Sequence, residues 1–345
     1  MLPQASIWQK LREGALGAIQ PGSAGAYPEP PTMEWWIDNG SYNVASTTTR
    51  SFTLVGASAE IGSVLLSEAM LSADRALEHS VSLRNQLACK RWSSPAWTTV
   101  TVYYWAYHLA VAVTRLLGRT TWWVTDDVAE KLHLLATVGA KKPGGGPYLV
   151  ECGRMLSASS RELLIKRSRQ TRAHDAIWIV WHEALREFAG DLKKQKSSNQ
   201  EARFYLAMLR ASSALGDVWP SDLRNAVNYT NEAGYGAVRK RKYTATYPNL
   251  SADPPSTFTE MLGRLEANAA CLQYHDSLSA QVGLASKVLV DFTFAMDVLF
   301  HVLLAEVIER RSIDRRWVNL RSAFSRSHAE TFAVKDWPCR HEPTA

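Results

Sequence analysis

Cysteine is scarce and scattered. The four, Cys89, Cys152, Cys271 and Cys339, lie far apart and form no CxxC pair. That spacing argues against a zinc site or a disulfide framework and fits a reducing cytoplasm. A leader pattern is also missing. The opening MLPQASIWQKLREG has neither a basic n-region nor a long apolar h-region, so no signal peptide is expected. The most apolar run, Lys287 to Val307, is interrupted by Asp291, Asp297, His301 and Glu306. Each such charge at membrane depth costs about 2.5–3.5 kcal/mol, which points to a buried core helix and no membrane partner. Phosphate-cradle and metalloprotease patterns are absent. KKPGGGPY (Lys141–Tyr148) lacks the G-x-x-x-x-G-K-[ST] spacing and reads as a loop, and WHEALRE offers His182-Glu183 without the second histidine of HExxH.

What the chain does have is ordinary globular material. Its 345 residues are 46 % hydrophobic and 21 % charged, enough to fill a real core. The formal net charge of +6 permits contact with nucleic acid without demanding it. The thirteen tryptophans read mostly as packing residues.

Periodicity is helical along most of the chain. Apolar residues recur at three-to-four spacing from Ala59, and again through AWTTVTVYYWAYHLAVAVTRLLG, where Gly118 fits a C′ position. Further helices are expected over Met155–Arg169, His174–Lys194, Asn199–Leu215, Pro220–Asn231, Phe258–Leu272, Ser279–Arg311 and Ile313–Phe332. Ser41 to Val55, rich in Thr, Ser and β-branched residues, suggests extended chain or a short hairpin, and TYPNLSADPPST reads as a Pro-rich linker. The expectation is a mainly α protein. Residues 1–58 form an irregular, partly extended N-terminal segment, 59–311 a helical bundle, and 312–345 a C-terminal helix and tail.

The stretch SDLRNAVNYTNEAGYGAVRKRKY (Ser221–Tyr243) stands out. Leu223, Ala226, Val227 and Thr230 suit a core face, and Arg224, Asn225 and Asn228 the opposite one. Four adjacent cations follow, Arg239, Lys240, Arg241 and Lys242, able to contact RNA phosphates. About 120 residues earlier lies YYWAYHLAVAVTRLLG (Tyr103–Gly118), which places Tyr104, His108 and Arg115 on one stripe.

Together, the YYWAYH and RNAVNY segments resemble the HEPN superfamily of helical-bundle proteins over about residues 95–245. The resemblance implies an HEPN-like bundle and metal-independent RNA cleavage without a cofactor. In that chemistry the ribose 2′-OH attacks the adjacent phosphate. Carried onto this chain, Arg224 is the phosphate clamp, Asn225 its polar neighbour, and Tyr229 stands where the family commonly has histidine. A free phenol, with pKa about 10, is a poor base at neutral pH. Five residues of regular helix also turn about 140° away, so Arg224 and Tyr229 are expected to converge only if the helix loosens or a second subunit completes the site. His108 is a candidate for the missing imidazole, in which case activity would bend near pH 6–7. Tyr104 joins the RNA-contacting set.

The resemblance further implies a toxin or anti-phage effector acting on RNA, as a homodimer or with a protein partner from the same system. Two alternatives stand beside it. One is a non-catalytic HEPN-like module that binds RNA or a partner. The other is an HD-type metal phosphohydrolase, for which His174-Asp175 and His275-Asp276 supply dyads. The pairs Arg169…His174 and Arg321…His328 also have Arg-to-His spacings of this kind, which chance alone supplies in a chain of this composition, and the first lies in a segment that reads more readily as solvated basic helix.

Overall fold

The computed structural model describes residues 17–19, 22–25, 31–88, 94–138, 141–194, 200–229, 255, 257–272, 278–309, 313 and 315–327. In chain order the elements are α1 (Met33–Asn39), β1 (Tyr42–Thr48), β2 (Ser51–Ala57), α2 (Ser58–Ala88), α3 (Pro95–Leu116), β3 (Arg119–Val124), α4 (Asp126–Leu134), β4 (Gly146–Met155), β5 (Ser160–Arg167), α5 (Ala173–Lys194), α6 (Gln200–Ser213), α7 (Trp219–Tyr229), α8 (Phe258–Cys271), α9 (Leu278–Glu309) and α10 (Arg315–Ser327).

The expected helical bundle is therefore corrected. Helices dominate, but a five-stranded antiparallel sheet of order β1-β2-β5-β4-β3 runs through the N-terminal half, and the fold is mixed α and β. The hairpin expected within 41–55 is present as β1 and β2. Strands β3, β4 and β5 were not expected, and Met155–Arg169, read as helix, is the end of β4, a turn and β5. The reason lies in SRELLIKR. Its buried positions alternate as Arg161, Leu163 and Ile165, the period of a strand with one covered face. An inward arginine and an outward Leu164 hide that alternation in the sequence. Arg161 is tolerated inside because its Nη1 donates to the Ala18 carbonyl at 3.2 Å, satisfying part of a buried cation.

One row across the sheet shows how the strands share a core face. Phe52 pairs with Ile165, Ile165 with Val150, and Val150 with Thr120, and all four side chains are buried. Phe52 and Tyr148 rings add a tilted contact at 5.5 Å.

Helix α3 is the organising element. It packs against α2, α9, α7 and α5, and touches β3. It stops where the sequence said it would, at Gly118, whose φ of +76° suits glycine after a helix end. A Cβ there would also press on Ala18 and Cys152. Along α3, Val102, Trp105 and Leu109 are buried, and Trp105 meets Phe294 of α9 edge-on at 5.4 Å. The neighbouring stripe, Tyr103, Tyr104, Tyr107 and His108, carries hydroxyls and an imidazole toward α2, α5 and α7.

Helix α9 contains the run expected to be a core helix. Among the described residues it alone is long and apolar enough to cross a membrane, and 61 % of its most apolar window is buried within the protein. Its Asp291 is satisfied by Asn268 of α8, as a buried carboxylate requires.

Candidate functional site

Helix α7 builds one wall. Leu223 and Val227 are buried, which turns the half-buried Arg224 toward α3. There Arg224 Nη2 donates to the Tyr104 hydroxyl at 2.8 Å, and Nη1 donates to Asn225 Oδ1 at 2.7 Å. The guanidinium lies 5.7 Å from the Tyr104 ring centroid and 5.8 Å from that of Tyr229. Among the described residues no carboxylate pairs with it, and its Nε is buried without a hydrogen-bond partner. The cation is thus positioned by neutral groups and keeps its full charge. Four of the sequence candidates, Arg224, Asn225, Tyr229 and Tyr104, come together here.

The contact with Tyr229 corrects a geometric expectation. α7 runs unbroken through both residues, and no loosening is needed. The long arginine side chain covers the angular gap at the helix's last turn. Tyr229 is 74 % exposed, so its ring caps the guanidinium from the solvent side.

Behind Tyr104 the imidazoles begin. His79 of α2 stacks on Tyr104 and on His108, each at 5.5 Å between centroids. Tyr104 and His108 are 6.4 Å apart. His174, in the first turn of α5, lies over Tyr107 at 4.4 Å, and its Nδ1 is 2.8 Å from the Tyr103 hydroxyl. Trp178 Nε1 donates to that same hydroxyl at 3.5 Å.

The electrostatics separate these rings. Burial pushes His108 down to about 3, and the His79 ring and the Arg75, His174 and Arg115 charges push the same way. It is neutral at physiological pH, which moves it away from the near-neutral proton exchange expected of it. His79 is also lowered, chiefly by burial. His174 is lowered by burial and then by the charge of Arg224, with Asp175 opposing. Arg224 is therefore felt at His174. Burial also raises Tyr103 well above the usual phenol range, so it stays a neutral hydroxyl. In the tautomer that carries its proton on Nδ1, His174 donates to Tyr103 and presents a bare Nε2.

His79, Tyr103 and Tyr107 were not among the sequence candidates, and His174 entered only through the His174-Asp175 dyad and the Arg169…His174 pair. The signal for the two tyrosines was there, since Tyr103 and Tyr107 share a helix face with YYWAYH spacing. His79 and His174 come from other helices, and only tertiary packing brings them in. His174 is thereby committed to Tyr103 at Nδ1, and among the described residues no three His, Cys, Asp or Glu side chains gather as a metal site. His275-Asp276, His328 and the run Arg239, Lys240, Arg241 and Lys242 lie outside the described residues. Arg169 is exposed in the turn before α5.

In the glycine loop, the Gly145 amide is taken by the Asp126 carboxylate at 2.7 Å, an arrangement that closes it to phosphate.

Comparison with known proteins finds no matching family model, no matching curated protein and no matching solved structure.

Proposed function

We propose that this protein is a metal-independent RNA endonuclease acting at Arg224. One observation carries the reading: a half-buried arginine held by Tyr104 and Asn225, both neutral, with no carboxylate paired to it among the described residues. An arginine so placed has a net charge to offer an anion, and its planar fork matches a phosphate. The resemblance of the YYWAYH and RNAVNY segments to HEPN motifs points the same way. The sheet removes any support from the fold, so the proposal rests on the site.

In this reading the scissile phosphate docks on Arg224, where the Tyr104 hydroxyl and the Tyr229 ring hold the guanidinium in place. The 2′-oxygen forms a bond to phosphorus as its proton passes to His174 Nε2, the imidazole that feels Arg224. The bond from phosphorus to the 5′-oxygen breaks, that oxygen takes a proton from solvent, and a cyclic phosphate and a 5′-OH remain. Arg224 stabilises the charge that gathers on the phosphorane oxygens. The lowered pKa of His174 keeps it in the base form at pH 7. The effector role and a second copy or partner over the Arg224 face belong to the same proposal, the latter checked by light scattering.

One observation favours a second reading, a binding module without catalysis. All three imidazoles are shifted down, and none is thereby kept protonated to serve the leaving oxygen.

The deciding experiment is incubation of labelled single-stranded RNA with the protein in EDTA. Cleavage leaving a 5′-OH and a cyclic or 3′-phosphate, abolished in Arg224→Ala, is the expected result. RNA binding without cleavage, lost in Arg224→Ala, establishes the binding module. Cleavage that needs Mg²⁺ or Mn²⁺, or that survives Arg224→Ala, overturns the nuclease reading.

A further inference from the structure

On the far side of His108 from Tyr104 lies a cavity of about 210 Å³. It opens between α2, α3 and β3, and its chemically significant walls are Arg75, Tyr107, His108, Arg115, Trp122 and Trp123. It shares Tyr107 and His108 with the ring cluster behind Arg224. Tyr104 and His108 are one turn apart on α3, about 6 Å at 1.5 Å per residue. Cavity and arginine thus sit side by side along one helix face.

Its two cations differ. Arg115 is neutralised, with Nε 2.8 Å from Glu68 and Nη1 donating to Ser72 at 2.9 Å. Arg75 is exposed and has neither a carboxylate nor a hydrogen-bond partner among the described residues. One positive charge at the cavity is therefore uncompensated. The aromatic walls are also more than packing demands. Trp122 is partly buried against the core, but Trp123 is 58 % exposed on an edge strand. A large indole left in solvent beside a cavity gains nothing from the core and has its π-face available.

A hollow with aromatic walls and a free arginine fits a ligand that is planar, aromatic and anionic. The volume falls below the ~300–1,000 Å³ typical of drug-sized sites, so it takes one such unit. We propose that this cavity is a nucleotide subsite, with the base against Trp123 and the phosphate on Arg75. The nucleotide has two possible sources: the residue next to the scissile phosphate of an RNA chain, or a free mononucleotide. The first source rests on the RNA-cleaving reading, and the second stands without it.

The test is isothermal titration with adenosine 5′-monophosphate, with ribose 5-phosphate and a single-stranded RNA hexamer as comparisons. The nucleotide should bind at least ten-fold more tightly than ribose 5-phosphate. Trp123→Ala, at an exposed position that leaves folding intact, should weaken nucleotide binding by about 5- to 150-fold, the range for one lost base stack. Arg75→Gln should weaken the nucleotide but leave adenosine unaffected. If the occupant is part of RNA, the hexamer binds more tightly than the mononucleotide and loses affinity in both variants. If it is a free nucleotide, the hexamer does not displace it. Arg224→Ala should leave nucleotide binding unchanged, so loss of cleavage and loss of the subsite are separable. No binding of either probe at millimolar concentration, or binding unaffected by both Trp123→Ala and Arg75→Gln, overturns the proposal even where RNA cleavage is found.

Discussion

Helix α5 carries two histidines about two turns apart, and their surroundings are opposites. His182 is 4 % exposed and closed by charge: its Nδ1 is 3.0 Å from Asp217 and 3.0 Å from Arg186 Nη2. Burial lowers it, with Asp217 opposing and Arg186 assisting, so it sits as a neutral ring between a cation and an anion that balance each other. His174 sits among Tyr103, Tyr107 and Tyr104, and the charge that acts on it most strongly is that of Arg224, with Asp175 opposing. A histidine, an arginine and helix α5 are common to both groupings. The carboxylate paired with histidine belongs to His182 alone. Balanced charge locks a structure, and unbalanced charge is what an anionic ligand can use.

The largest test of this contrast removes the arginine on the open side. Arg224→Ala should lower RNA cleavage by about 10²–10³-fold, as for loss of one oxyanion-hole donor, and leave the melting temperature almost unchanged. It breaks only bonds to neutral groups that can turn to water. Arg224→Lys should rescue poorly, since a point charge cannot fork to two phosphate oxygens. A melting temperature that falls as far as activity does would make Arg224 a structural residue and erase the distinction.

Removing the closed histidine should do the reverse. His182→Ala strips a buried ring from beneath Asp217 and Arg186, which are themselves exposed and stay hydrated. A stability loss of about 0.5–3 kcal/mol is expected, the usual range for a truncation that leaves a void at a buried position. Denaturant unfolding measures it, and activity per folded molecule should hold. Unchanged stability would mean that the pair re-forms directly, without the ring.

How much of this could be read from the chain varies with the physics of each part. The helices were legible because apolar residues at three-to-four spacing survive as a local pattern, and α5, α7 and α9 lie where periodicity put them. Strand β5 was not, because buried Arg161 and outward Leu164 break the alternation that marks a covered strand. At the site, Arg224, Asn225 and Tyr104 were candidates on motif spacing, and their contact is a matter of packing between α3 and α7. His79 has no local signature, and those of His174, a dyad with Asp175 and a spacing from Arg169, point to other partners. Each becomes part of the cluster only because α2 and α5 flank α3. His108 was visible, but its charge state was not. Depression to about 3 comes from burial together with His79, Arg75, His174 and Arg115, drawn from three helices.

That depression gives the contrast a pH axis. Unfolded, His108 titrates near 6.5, and folded, near 3. Between those values the unfolded chain holds the extra proton, so native stability falls as pH drops through the window. His79 and His174, also lowered, add to the same slope. His108→Gln removes one contributor. Its melting temperature should fall less steeply than that of the wild type from pH 6.5 to 4, and the two slopes should agree above pH 7, where the wild-type ring is neutral in both states. Parallel curves across the acid range would show that His108 titrates as an ordinary histidine.

The smallest effect belongs to Tyr229, and it separates a ring from a hydroxyl. Tyr229 is largely exposed, its ring lies 5.8 Å from the Arg224 guanidinium, and among the described residues its hydroxyl makes no hydrogen bond. If the ring only steadies the cation, the phenol's proton has no part in the reaction. Tyr229→Phe should then keep wild-type cleavage and wild-type pH dependence. Tyr229→Leu loses the cation–π contact, about 0.5–1 kcal/mol at an exposed site, which appears as a two- to five-fold loss. The loss should fall on KM more than on kcat, because the arginine is held as loosely before the reaction as during it. A Phe variant as impaired as the Leu variant, with kcat reduced, would reverse the assignment. The hydroxyl would then be the proton source for the leaving 5′-oxygen, and the open side of the molecule would hold a complete acid and base.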